Sequence, residues 1–183
     1  REVGLDKSRG GRRPVKLSFN PDAGYVVGVE VTRFESFIGT ADLKNDPTDF
    51  QTVELDMTVP EIGTKQLAAA IKKVMSEKKY IQKNFLGVGV AFPGLLNIYE
   101  GSVERSINLG HCWNAFPVKK ILEKELELPV FIENNSNASA LAERWFGGGT
   151  DCKDLVYINL GEGISAGIIM NDRILQGAGG HAG

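Results

Sequence analysis

Cysteine is scarce in this chain. Cys112 and Cys152 stand far apart, with no CxxC spacing. That excludes a disulfide framework and a cysteine metal cluster, and it fits a reducing compartment, so a cytoplasmic location is expected. Long apolar runs are lacking too: none approaches the roughly 20 residues that a membrane-spanning helix needs. The amino-terminal stretch has no apolar core of the kind a secretory signal carries. A surplus of either charge is absent, the net charge being −2 over 183 residues, which argues against a nucleic-acid surface over most of the chain. No repeat of solenoid period is present. The chain starts at Arg1 and stops at Gly183 within a glycine-rich run, and the expectation is a piece of a longer protein.

Hydrophobic residues make up 42% and charged ones 24%, an ordinary globular balance, and the length suits one well-cored domain or one lobe of a larger protein. Arg1, Lys7, Arg9, Arg12, Arg13 and Lys16 crowd a glycine-rich start, so residues 1–19 read as a basic linker. Strands are predicted over Val26–Val31, Phe37–Leu43 and Thr52–Met57, an antiparallel start with Asn45-Asp46-Pro47 as its second turn. Pro60 opens an amphipathic helix carrying Leu67, Ala70, Ile71, Val74 and Met75. A buried-type strand over Leu86–Phe92 ends at Pro93-Gly94, and a second helix covers Val118 to Leu126. Pro129 starts the next strand. The helix after Asn135 is predicted to pack through Ala138, Leu141, Ala142 and Trp145, and Gly147-Gly148-Gly149 ends it. Leu155–Leu160 and Ile164–Met170 form a final hairpin. This mixed order predicts an α/β fold with a mixed sheet.

The most informative segment is Phe131-Ile132-Glu133-Asn134-Asn135-Ser136-Asn137, where a strand passes into a helix through short amides and a hydroxyl. Polar groups at the carboxyl end of a strand are well placed to hold a ligand. The run holds one carboxylate, Glu133, where a site for deprotonating a hydroxyl would usually hold more acid–base capacity. Gly161-Glu162-Gly163 either lets backbone N–H groups approach a phosphate or simply closes a tight hairpin. Glu162 would repel polyphosphate. The first hairpin offers only Glu30 and Thr32, with no glycine in its turn, and reads as structural. Gly94, Leu95 and Asn108 lie in loops rich in amide, hydroxyl and apolar groups, a mixture suited to a sugar. Trp113 fits either a stacking role or a loop anchor, and His181 either the rim of a pocket or a backbone-held loop residue. His111 beside Cys112 reads as incidental. Arg9 to Pro14 suits either a solvated linker or a minor-groove arm.

In order and spacing, Ser8 to Pro14, Asn20 to Val29, Pro93-Gly94, Asn108-Leu109 with Trp113, Glu133 to Ala138, Gly161 to Gly167 and Gly177 to Gly183 resemble the ROK family. Within that family of repressors, open reading frames and kinases, they resemble the xylose- and N-acetylglucosamine-repressor branch. The resemblance implies an actin-like ATPase (ribonuclease H-like) fold, with residues 20–183 as the amino-terminal lobe of a two-lobed sugar-binding domain. It implies a winged helix-turn-helix ahead of residues 1–19, with Arg12 and Arg13 near DNA. The implied partners are a monosaccharide effector, operator DNA and a second copy in a homo-oligomer, without a membrane. Gly94, Leu95, Asn108, Asn134 and Asn135 are the implied sugar-binding residues. Family kinases carry Asn-Asp where this chain has Asn134-Asn135, so no catalytic residue is assigned. The phosphate loops are degenerate, at Glu30 and Thr32 and at Gly161, Glu162 and Gly163. A sugar-responsive bacterial transcriptional regulator without kinase activity is therefore expected; the alternative is an ATP-dependent sugar kinase. The family's zinc motif would follow Gly183, so no metal or other cofactor is assigned to this chain.

Overall fold

A computed structural model of the chain describes residues 2–5, 15–44, 47–80, 84–161 and 163–183. Arg12, Arg13, the turn at Asn45-Asp46 and Glu162 lie outside the described residues. Within the amino-terminal stretch, β1 (Glu2–Leu5) and β2 (Val15–Leu17) pair as a two-stranded antiparallel ribbon, which the linker reading did not foresee.

The main sheet has five strands in the order β5-β4-β3-β6-β9. β3 (Tyr25–Val31), β4 (Ser36–Asp42) and β5 (Pro47–Val53) are antiparallel, whereas β6 (Phe85–Phe92) and β9 (Val130–Asn134) run parallel to β3. The parallel crossovers are α1 (Pro60–Met75) and α2 (Val118–Leu126). Both cover one face of the sheet, where Val27, Val29, Val31, Ile38, Val88, Val90 and Ile132 form a single core with Leu67, Ile71, Val74 and Leu122. Pro60 at the first helical position sets φ where no N–H partner is needed.

The third strand lies earlier than the predicted Thr52–Met57. The apolar alternation through Leu55 and Met57 belongs to a connection that leaves the sheet for the core. Buried Met57 is held there because its carbonyl accepts the indole N–H of Trp113 at 2.8 Å. β7 (Leu95–Asn97) and β8 (Ser102–Arg105) make a small hairpin in a region read as loop.

On the opposite face of the main sheet, Gly39, Gly28 and Gly89 are cross-strand neighbours in β4, β3 and β6. They floor a hollow of about 590 Å³ edged by Phe50, Leu86 and Phe131.

The second sheet is β10 (Leu155–Leu160), β11 (Ile164–Met170) and β12 (Arg173–Ile174), in that order. Between the two sheets runs α3 (Asn135–Phe146). Its predicted contact face needs correcting: Ser136, Asn137 and Ala140 are buried, Ala138 and Leu141 are half-buried, and Ala142 and Trp145 are exposed, Trp145 at 61%. The helix docks through its small residues because β11 comes very close. A Cβ on Gly167 would lie 2.1 Å from the Ser136 carbonyl oxygen. Among the described residues, no helix is long and apolar enough to cross a membrane.

Candidate functional site

Every described residue singled out above as a sugar or phosphate contact lines one cleft of about 540 Å³. It lies at the carboxyl ends of β3, β6 and β9, between the two sheets. Glu30, Thr32, Gly94, Leu95, Asn108, Asn134, Asn135, Gly161 and Gly163 meet there, joined by Arg33, Arg105, Glu133, Ser136, Asn137, Asn159 and Ser165. The sequence signal extended to Glu133, Ser136 and Asn137, which lie in the same strand-to-helix run. Arg105 carried no such signal, because it reaches the cleft only through the pairing of β8 with β7, Arg105 opposite Leu95.

The β9–α3 junction is organised by three asparagines. Asn134 is the N-cap of α3: its Oδ1 accepts the backbone N–H of Ser136 at 2.8 Å, and its Nδ2 donates to the Gly94 carbonyl at 3.0 Å. Both ends of this amide are thus engaged. Asn135 Nδ2 donates to the Val31 carbonyl at the end of β3, at 3.0 Å, while its Oδ1 is buried without a partner. Asn137 Nδ2 donates to Glu133 Oε1 at 3.0 Å, and its Oδ1 is likewise buried and unpartnered. Ser136 Oγ lies 2.6 Å from Ser165 Oγ, a bond from α3 to β11.

Gly94 has φ +116°, and a Cβ there would lie 2.6 Å from the Arg105 carbonyl oxygen. Only glycine fits this backbone without rearrangement. Thr32 is occupied in closing the β3–β4 turn: its hydroxyl donates to the Glu35 carbonyl and accepts the Glu35 N–H at 3.1 Å. Gly161 donates its backbone N–H to the Gly163 carbonyl at 3.1 Å, and there is room for a Cβ at either position.

Trp113 is the loop anchor of its two readings. It is fully buried, with its ring packed against Phe92 and Phe116. His181 stands at the rim of the cleft, its Nε2 3.0 Å from Glu104 Oε2. His111 and Cys112 are exposed. Among the described residues, no three His, Cys, Asp or Glu side chains gather to hold a metal ion.

A mixed α/β lobe with a cleft at its strand ends, closed on one side by a second hairpin sheet, has the actin-like ATPase (ribonuclease H-like) architecture. The chain belongs to the ROK family, whose sequence profile matches residues 27–183. A xylose repressor of Caldicellulosiruptor bescii is 32% identical over all of this chain and 45% of its own length. A glucokinase of Halalkalibacterium halodurans is 34% identical over 87% of this chain and 48% of its own. A crystal structure of a ROK family transcriptional regulator, a homologue of the E. coli MLC protein, superimposes with a TM-score of 0.80 at 24% identity. It covers 96% of this chain and 43% of its own. The chain thus spans about half the length of the curated relatives it matches.

Proposed function

We propose that this chain is the effector-sensing part of a sugar-responsive transcriptional regulator, and that its cleft binds a monosaccharide without phosphorylating it. One observation carries this reading. Asn135 lines the cleft with its nitrogen committed to the Val31 carbonyl, and the family resemblance implies an aspartate base at this position in the kinases. A neutral amide cannot take the proton from a sugar hydroxyl, and losing a general base removes about 10²–10⁴-fold of rate. Thr32, in the first phosphate loop, is spent on its own turn. The repressor relative, matched over the whole chain, supports the regulatory role; the glucokinase relative supports the kinase alternative.

The mechanism is a shift of populations. A sugar held in the cleft favours its closed form, and a DNA-binding module ahead of residues 1–19 is thereby moved between operator-competent and operator-incompetent arrangements in a homo-oligomer. The shift can be no larger than the sugar's preference for one state over the other. The test is calorimetric titration of the full-length protein with D-xylose, D-glucose and N-acetylglucosamine, with and without ATP, alongside assays of sugar phosphate and of operator binding. Heat without sugar phosphate, together with altered operator affinity, is expected. Rapid formation of sugar phosphate would overturn the reading in favour of the kinase.

A further inference from the structure

The orientation of each amide at the β9–α3 junction is decided by what faces its nitrogen. The Gly94 and Val31 carbonyls and the Glu133 carboxylate are acceptors only, so each must meet an NH₂ group. The carbonyl oxygens of Asn135 and Asn137 are therefore turned the other way, and both are left buried without a donor. Asn137 is only 4% exposed, yet it lines the cleft.

Glu133 completes the set. It occupies the cross-strand row Glu30–Ala91–Glu133 at the carboxyl ends of three neighbouring strands. Its Oε1 accepts twice, from the Asn134 backbone N–H at 2.8 Å and from Asn137 Nδ2 at 3.0 Å. Its Oε2 accepts from no described residue, and among the described residues Glu133 has no cationic partner. One oxygen is anchored at two points and the other is left over. Glu133 lines the cleft, and its spare carboxylate oxygen suits a ligand that brings hydroxyl donors.

We propose that Glu133 determines specificity, its Oε2 accepting from ligand hydroxyl groups, and that Asn137 is the positioning residue that aims it. The inference rests on the sugar-binding reading and deepens it. The cleft selects neutral polyols that present adjacent free hydroxyls to Glu133. It discriminates against deoxy or O-methylated analogues, which lack the donor, and against uronic acids, whose carboxylate would face Glu133.

The experiment uses the full-length protein and the best-binding sugar among D-xylose, D-glucose and N-acetylglucosamine, together with its monodeoxy, O-methyl and uronic acid derivatives. Glu133→Gln, nearly isosteric, is expected to weaken the parent sugar at least tenfold. It should also reduce the preference for the parent over one particular deoxy derivative, while the melting temperature of the ligand-free protein stays near wild type. Asn137→Ala should erode the same preference, and Asn137→Ser, which keeps a hydroxyl donor toward Glu133, should restore part of it. A merely structural role for Asn137 would lower stability without changing which derivative is rejected. If Glu133→Gln fails to fold, the Asn137→Ser and Asn137→Ala pair reads the same selectivity. Wild-type protein that binds sugar, with variants that bind and discriminate equally well, overturns this inference alone. Wild-type protein that gives no heat with any of the sugars overturns the sugar-binding reading as well.

Discussion

At Gly94 the chain turns from β6 into the β7–β8 hairpin with φ +116°, and any side chain would run into the Arg105 carbonyl. Gly94→Ala is expected to cost about 1–3 kcal/mol, read as a lower urea midpoint with an unchanged m-value. Trp113 fills the space between Phe92 and Phe116 and bonds the Met57 carbonyl. Trp113→Ala should cost about 3–5 kcal/mol by calorimetric melting. Asn135→Asp sets a carboxylate oxygen against the Val31 carbonyl in place of a donor. It should lower stability by about 1–3 kcal/mol and leave ADP formation with sugar and ATP near background, because Thr32 remains tied to its turn. Rapid turnover in a coupled assay would contradict the account of the site. The kinds of residue that meet in the cleft were legible in the sequence, since short amides at a strand end announce a polar site. Their division of labour was not. Asn134, Asn135 and Asn137 are chemically alike, and only their partners show that Asn134 is a cap while Asn135 and Asn137 keep an unmet oxygen.

Among the elements, the contact of α3 with β11 depends on Gly167. Gly167→Ala would drive a Cβ into the Ser136 carbonyl and push the helix off the sheet. A loss of about 1–3 kcal/mol is expected, together with weaker sugar binding, because the Ser136–Ser165 bond spans the same contact. Asp49 of β5 is paired with Lys79 in the turn that follows α1. Hydrogen bonds from the Lys79 ammonium and from Gln51 hold the Asp49 carboxyl below its ordinary value, and the same pair raises Lys79. A depressed carboxylate contributes stability above its unfolded value of about 3.9, lost as pH falls through the lower folded value. Asp49→Asn should therefore be slightly less stable than wild type at pH 7, and the difference should shrink progressively as pH falls below about 3.9 in urea titrations. Helix positions were readable because apolar spacing and prolines mark them. The edge of the third strand was not, since alternation through Leu55 and Met57 looks the same whether a segment lies in a sheet or enters a core beside one.

Across the whole molecule, one core cluster sits under the main sheet, while other apolar surfaces stay open. Val156, Ile158 and Leu160 alternate along the exposed face of β10, with Ile164 beside them, and Trp145 and Phe146 stand exposed at the end of α3. Such a patch favours association. The 183-residue chain prepared alone is expected to scatter light as oligomers at micromolar concentration, and Ile158→Lys should reduce that scattering; a monodisperse monomer would contradict it. The cleft depends on the same arrangement, because its walls come from both sheets and α3 joins them.

The sequence by itself determined the family, the helices, most of the sheet and the polar run that lines the cleft, because these follow from local spacing and from residue chemistry. Only the tertiary structure decided which oxygens are left unmet, why Gly94 and Gly167 must be glycine, and that Arg105, Gly161 and Gly163 share a cleft with Asn135. Those facts depend on approaches between segments distant in the chain, where a fraction of an ångström separates a bond from a clash.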